Sequence, residues 1–119
     1  MISQDDIDAF KESGWYMTLD TYQKQAITTA IYPKEVSIMY PALGLAGEAG
    51  EVANKVKKVI RDGVFDKDAI ASELGDCLWY IAVLARDLNV DLEEIAQENL
   101  SKLRGRKERG TLQGNGDTR

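Results

Sequence analysis

The sequence contains no histidine. Imidazole general bases, Ser-His triads, imidazole-bound zinc and the Glu-x-x-His ligand pattern of di-iron bundles are therefore excluded. Any metal has to be held by oxygen, which selects Mg²⁺, or Mn²⁺ in its place. Cysteine occurs once, as Cys77, so no intramolecular disulfide is expected and the chain suits a reducing cytoplasm. Pro33 and Pro41 are the two prolines, and beyond them glycine is the only strong helix breaker. No apolar run approaches the ~18 residues of a membrane span. The segment from Met1 to Asp6 lacks the basic and apolar regions of a signal peptide. A cytoplasmic protein without a membrane partner is expected. Positive charge is also scarce: 15 Lys and Arg against 20 Asp and Glu give a net charge of -5 and a pI near 4.7. That balance argues against a nucleic-acid partner. Strand alternation is absent throughout, so the fold class is all-α.

What is present is enough for one core. With 119 residues and 44% hydrophobic content, residues 1–119 read as a single domain, with 1–17 loosely held and 110–119 a flexible, glycine-rich tail. Leu19 to Ile31 has helical spacing, with Thr18 or Asp20 as cap and Pro33 beyond its end. Pro41 suits the first position of a second helix, which runs to Arg61 and stops at Asp62-Gly63. A third helix, Lys67 to Leu88, is capped by Asp66 and is so rich in apolar residues that it should be buried on most sides. Asp91 to Glu94 matches a capping box for a fourth helix ending between Arg104 and Arg109. The expected architecture is an antiparallel bundle of about four helices. A third helix apolar nearly all round needs more cover than its neighbours provide, so oligomerisation should complete the bundle.

The chemistry concentrates in Gly44-Leu45-Ala46-Gly47-Glu48-Ala49-Gly50-Glu51 and in Glu73-Leu74-Gly75-Asp76. In each segment two acids three residues apart lie on adjacent turns of one helix face. Like charges at that spacing repel, and each glycine costs roughly 1 kcal/mol in a helix interior. Counted from the loop near residues 62–66, the two pairs stand at similar heights on facing helices. Four clustered acids cannot all stay ionised without a counter-charge, which one or more divalent cations would supply. Hard carboxylate ligands and Mg²⁺ are the equipment for attack by metal-activated water on a phosphoanhydride.

Glu-x-x-Glu followed some twenty residues later by Glu-x-x-Asp, in a small acidic all-α chain, resembles the MazG-like nucleoside triphosphate pyrophosphohydrolases. The resemblance covers about Tyr40 to Arg109. It implies Mg²⁺-dependent hydrolysis of an NTP or dNTP to the monophosphate and pyrophosphate. It also implies homodimers or homotetramers in which neighbouring chains complete each bundle and active site. Carried over by position, Glu48, Glu51, Glu73 and Asp76 would be metal ligands, with Glu48 and Glu51 catalytic. Lys55 and Lys58 would meet phosphate oxygens, and Asn99, Lys102 and Arg106 on the last helix would reach the triphosphate. One departure concerns the base. Many relatives carry two adjacent glutamates where this chain has Gly47-Glu48. Either Glu48 is both ligand and base, or the metal alone lowers the pKa of water.

Plainer readings stand beside these. Lys57 and Lys58 equally suit a solvated face, and the basic run from Lys102 to Arg109 equally offsets a helix dipole. Trp79, Tyr80 and Cys77 read as core, whereas Trp15 and Tyr16 are freer to stack on a base. Two other functions fit: hydrolysis of guanosine alarmones by the same chemistry, and a non-catalytic helical interaction module.

Overall fold

The computed structural model describes residues 1–13 and 17–119; Trp15 and Tyr16, the expected stacking residues, lie outside them. The described residues form five α-helices and no strand: α1 (Gln4–Glu12), α2 (Leu19–Ala26), α3 (Met39–Asp62), α4 (Lys67–Asp87) and α5 (Leu92–Arg109). Their ends follow from local chemistry. Ser3 and Asp6 close a capping box on α1, and Thr18 and Thr21 close one on α2. Gly63 adopts φ 73° and donates its N–H to Val59, ending α3 in the left-handed conformation glycine tolerates. The Asp66 carboxylate accepts from Ala69 N–H at 3.0 Å and caps α4, which starts at the next residue, Lys67.

Two ends depart from expectation. The helix expected over Leu19 to Ile31, α2, stops at Ala26 and passes into a 3₁₀ turn at Ile27–Thr29. There the Thr28 and Thr29 hydroxyls donate to the carbonyls of Gln25 and Ala26, at 2.6 and 2.8 Å, competing with the helical ladder. Asp91 precedes α5 but makes no side-chain cap. The amide of Leu92 instead donates to Gln23 Oε1 at 3.0 Å, and the same buried side chain donates through Nε2 to Ala82 O and Val90 O at 3.2 and 3.1 Å. One α2 glutamine thus ties α2, α4 and the α4–α5 turn together.

The core sits at that junction, where Ala26, Ala82 and Leu92 meet Leu19, Tyr22 and Trp79. The indole N–H of Trp79 donates to Ala26 O at 3.2 Å and Thr29 Oγ1 at 2.8 Å, fixing the ring between α2 and α4. A four-residue loop, 63–66, folds α3 and α4 into an antiparallel hairpin, and α2 and α5 pack on α4. Within one chain α4 is not buried on most sides: Leu74 is 54% exposed, because nothing among the described residues covers that face. The radius of gyration, 18.0 Å, exceeds the about 13.5 Å of a compact domain of this length. Among the described residues no helix is long and apolar enough to cross a membrane.

Candidate metal centre and nucleotide cleft

The α3–α4 hairpin brings three of the four expected acids together. Glu48 of α3 and Glu73 and Asp76 of α4 each offer a carboxylate oxygen, and these atoms lie within 4.8 Å of one another. Glu51, one turn nearer the loop, is exposed and outside that cluster. The site is not interior, as the apolar α4 sequence suggested: Asp76 is exposed and Glu48 half-buried. Glu48 is pushed above the usual carboxylate range, first by its hydrogen bond with Glu73, then by burial and the charges of Asp76, Glu73 and Glu51. A missing positive charge is what such a set implies. An all-oxygen donor group of this size fits a hard divalent cation.

Cations lie on one side of the acids and aromatic rings on the other. Toward the loop, Lys55 Nζ stands 3.4 Å from Glu73 Oε1. With Lys58, Lys55 lines an open cavity of about 230 Å³ that reaches Asp62 and Asp66. In the opposite direction Tyr80 follows Asp76 by one turn of α4, and Gly44 precedes Glu48 by one turn of α3. Gly44 has to be glycine: an added Cβ would collide with ring atoms of Tyr80. Tyr80, Tyr40, Tyr32 and Trp79 line a second cavity of about 260 Å³. Tyr32 and Tyr40 stack with ring centroids 4.8 Å apart, and Trp79 meets Tyr80 edge-on at 5.0 Å. The Tyr80 phenol is pushed up by burial, then by Tyr40 and by the Glu48 charge, so the cavity adjoins the acid cluster. On α2, Tyr22 is raised by burial and then by the charge of Asp76.

A family model for the MazG nucleotide pyrophosphohydrolase domain matches residues 40–111, the span that carries the acids, the lysines and the last helix. The chain belongs to that family. It is also similar to the Gene 37 protein of Mycobacterium phage L5, at 48% identity over 114 residues covering 87% of this chain and 100% of that protein. No solved structure matches the chain. The all-α MazG fold agrees with the five helices seen here.

The other residues expected in the MazG site are arranged differently. Asn99 and Lys102 are exposed on α5, which packs on α2 and α4, and neither belongs to the acid cluster or lines the lysine cavity. Arg106 is buried beneath the segment that follows α5, and its guanidinium donates to Asp117 O at 2.8 Å. The aromatic cavity is what sequence reasoning missed: Trp79 packs against the core as expected but also lines the cavity, and Tyr80, expected in the core, lines it too. Spacing held a signal, since Tyr80 and Gly44 each lie four residues from a clustered acid on the same helix face.

Proposed function

We propose that this MazG domain hydrolyses nucleoside or deoxynucleoside triphosphates to the monophosphate and pyrophosphate, with Mg²⁺ or Mn²⁺ as cofactor. One observation carries the reading, the order of groups along the α3–α4 seam. Lysines stand at the loop end, clustered carboxylates in the middle and an aromatic cavity at the far end. A nucleoside triphosphate has the complementary order: an anionic tail, a metal-binding polyphosphate and a flat base.

Glu48, Glu73 and Asp76 would hold the cation, with Glu51 on the next turn of α3 completing the set. Bound there, a divalent ion neutralises the carboxylates, polarises phosphate oxygens and lowers the pKa of water. Lys55, already paired with Glu73, exchanges that partner for a phosphate oxygen, and Lys58 supports it from the next turn. Glu48 takes the proton from water, since Gly47 offers no carboxylate beside it. The base enters the aromatic cavity, where Tyr32, Tyr40 and Tyr80 present ring faces and edges for stacking.

The reading includes a homodimer or homotetramer in the cytoplasm, where Cys77 stays a free thiol. Leu43, Ile60 and Leu74 are 71%, 84% and 54% exposed, an apolar surface that a neighbouring copy would cover. A neighbour would also bring Asn99 and Lys102 to a site they do not reach in their own chain. Arg106 would join them only when residues 111–119 lift from α5.

Release of pyrophosphate and monophosphate from a panel of NTPs and dNTPs, with Mg²⁺, Mn²⁺ or EDTA, tests the proposal. Pyrophosphate release that EDTA abolishes is expected. Orthophosphate as the product, or metal-independent turnover, would contradict it.

A further inference from the structure

Asp87, the last residue of α4, has no place in the metal centre, yet its side chain is only 5% exposed and both its oxygens are engaged. Oδ2 accepts from the Tyr32 hydroxyl at 2.5 Å and from the Ile38 amide at 3.1 Å, and Oδ1 accepts from Arg86 Nε at 2.8 Å. Arg86 also reaches the Tyr32 hydroxyl, at 3.4 Å. Burial by itself would raise the Asp87 pKa, but hydrogen bonds from Tyr32, Ile38, Arg86 and Ser37 outweigh it and hold the carboxyl below the usual range.

Both residues that Asp87 grips matter for the aromatic cavity. Tyr32 is its outer wall and stacks on Tyr40. Ile38 stands at φ 69°, ψ -55°, a conformation unusual for a β-branched residue, and it immediately precedes the α3 turn that carries Tyr40. Backbone held this way persists only where surrounding bonds impose it, and functional sites are where such strain collects. Here Met39 N–H closes the turn on Ser37 O at 2.8 Å and Asp87 anchors it to α4 through the Ile38 amide, while through Tyr32 Asp87 sets the ring against which Tyr40 packs.

We propose that Asp87 is a positioning residue for nucleobase recognition, locking Tyr32 and the Ile38 turn so that the Tyr32–Tyr40 wall faces Tyr80 at a fixed spacing. This inference rests on the nucleotide reading above and adds to it the residue that sets base selectivity without touching the base. It separates recognition of the base from the handling of phosphates, because Asp87 anchors one end of the seam only.

The test uses the full chain and two variants, Asp87→Asn and Tyr32→Phe, with folding checked by circular dichroism. KM and kcat are measured for each nucleotide of the panel, and inorganic tripolyphosphate, which has no base, is used as a competitive inhibitor. Each variant should raise KM for the preferred nucleotide about five- to tenfold, the net scale of one lost hydrogen bond. The spread of KM across bases should narrow, while kcat and the inhibition constant of tripolyphosphate stay near wild type. The double variant should do little more than either single one, since both break the same link. A parallel weakening of tripolyphosphate, or effects that add, would reduce Asp87 to a general structural role and overturn the proposal, as would unchanged KM values. Should Asp87→Asn not fold, Tyr32→Phe alone decides by the same criteria. Absence of turnover in the wild type would instead strike the nucleotide reading itself.

Discussion

Gly44 on α3 faces the Tyr80 ring on α4 with no room for a methyl group between them. This close approach lets the two helices meet one turn beyond the acid cluster and turns Tyr80 into a wall of the cavity. Gly44→Ala should therefore displace Tyr80, destabilising the protein by about 1–3 kcal/mol as an overpacked contact and raising KM. Pairing it with Tyr80→Leu should recover stability without recovering KM. Chemical denaturation and steady-state kinetics on the three variants check both halves.

Clustered acids make metal-free stability fall with pH in an unusual direction. Glu48 has a folded pKa above its unfolded one, so the folded chain binds that proton more tightly. The group's contribution is favourable below the unfolded pKa and is lost as pH rises through the folded pKa. Glu48→Gln should thus raise the melting temperature of the metal-free protein near neutral pH and abolish the further rise that Mg²⁺ or Mn²⁺ gives the wild type. Differential scanning calorimetry with and without EDTA measures both effects.

Asp87 has the opposite sign. Its depressed pKa gives stability that is present above the unfolded carboxylate value and is lost as pH falls through the folded one. The acid limb of the stability curve should flatten in Asp87→Asn, a comparison that denaturant titrations from neutral to acid pH provide.

The Lys55–Glu73 pair is a contact the substrate would have to break. Lys55→Gln should raise KM for triphosphates several-fold, because a charge-assisted contact to phosphate is lost. Cation binding should hold or tighten, since the carboxylates lose a competitor. Calorimetric titration with Mn²⁺, set beside nucleotide KM values, separates the two.

Gln23 should matter for stability alone. Gln23→Ala leaves the Leu92 amide without its partner in the core, at a cost of about 1–3 kcal/mol, and frees the α4–α5 turn. Denaturant midpoints and hydrogen exchange at Leu92 read this directly.

Much of this arrangement was legible in the sequence, because its signals were local. Gly63 and Asp66 marked the α3–α4 turn, and spacing of three within each acid pair, on helices joined by a short loop, was enough to bring Glu48, Glu73 and Asp76 together. Long-range partners were not legible. Asp91 has the sequence of a cap, but Gln23, far back in the chain, takes the Leu92 amide. Thr28 and Thr29 bond their own backbone and shorten α2. The aromatic cavity combines the α2–α3 connection with both hairpin helices, so its wall at Tyr32 had no local signature. Arg106 was expected to reach phosphate, yet the segment after α5 folds over it and Asp117 O takes one of its N–H groups, while its buried Nε has no partner among the described residues.

Phosphorus NMR of a triphosphate hydrolysed by the wild type in Mg²⁺, beside Glu48→Gln, tests the central claim most directly. Triphosphate resonances should give way to a monophosphate signal and a pyrophosphate signal in equal molar amounts, with no change in the variant. Appearance of orthophosphate and a nucleoside diphosphate, or equal turnover by Glu48→Gln, would contradict the account.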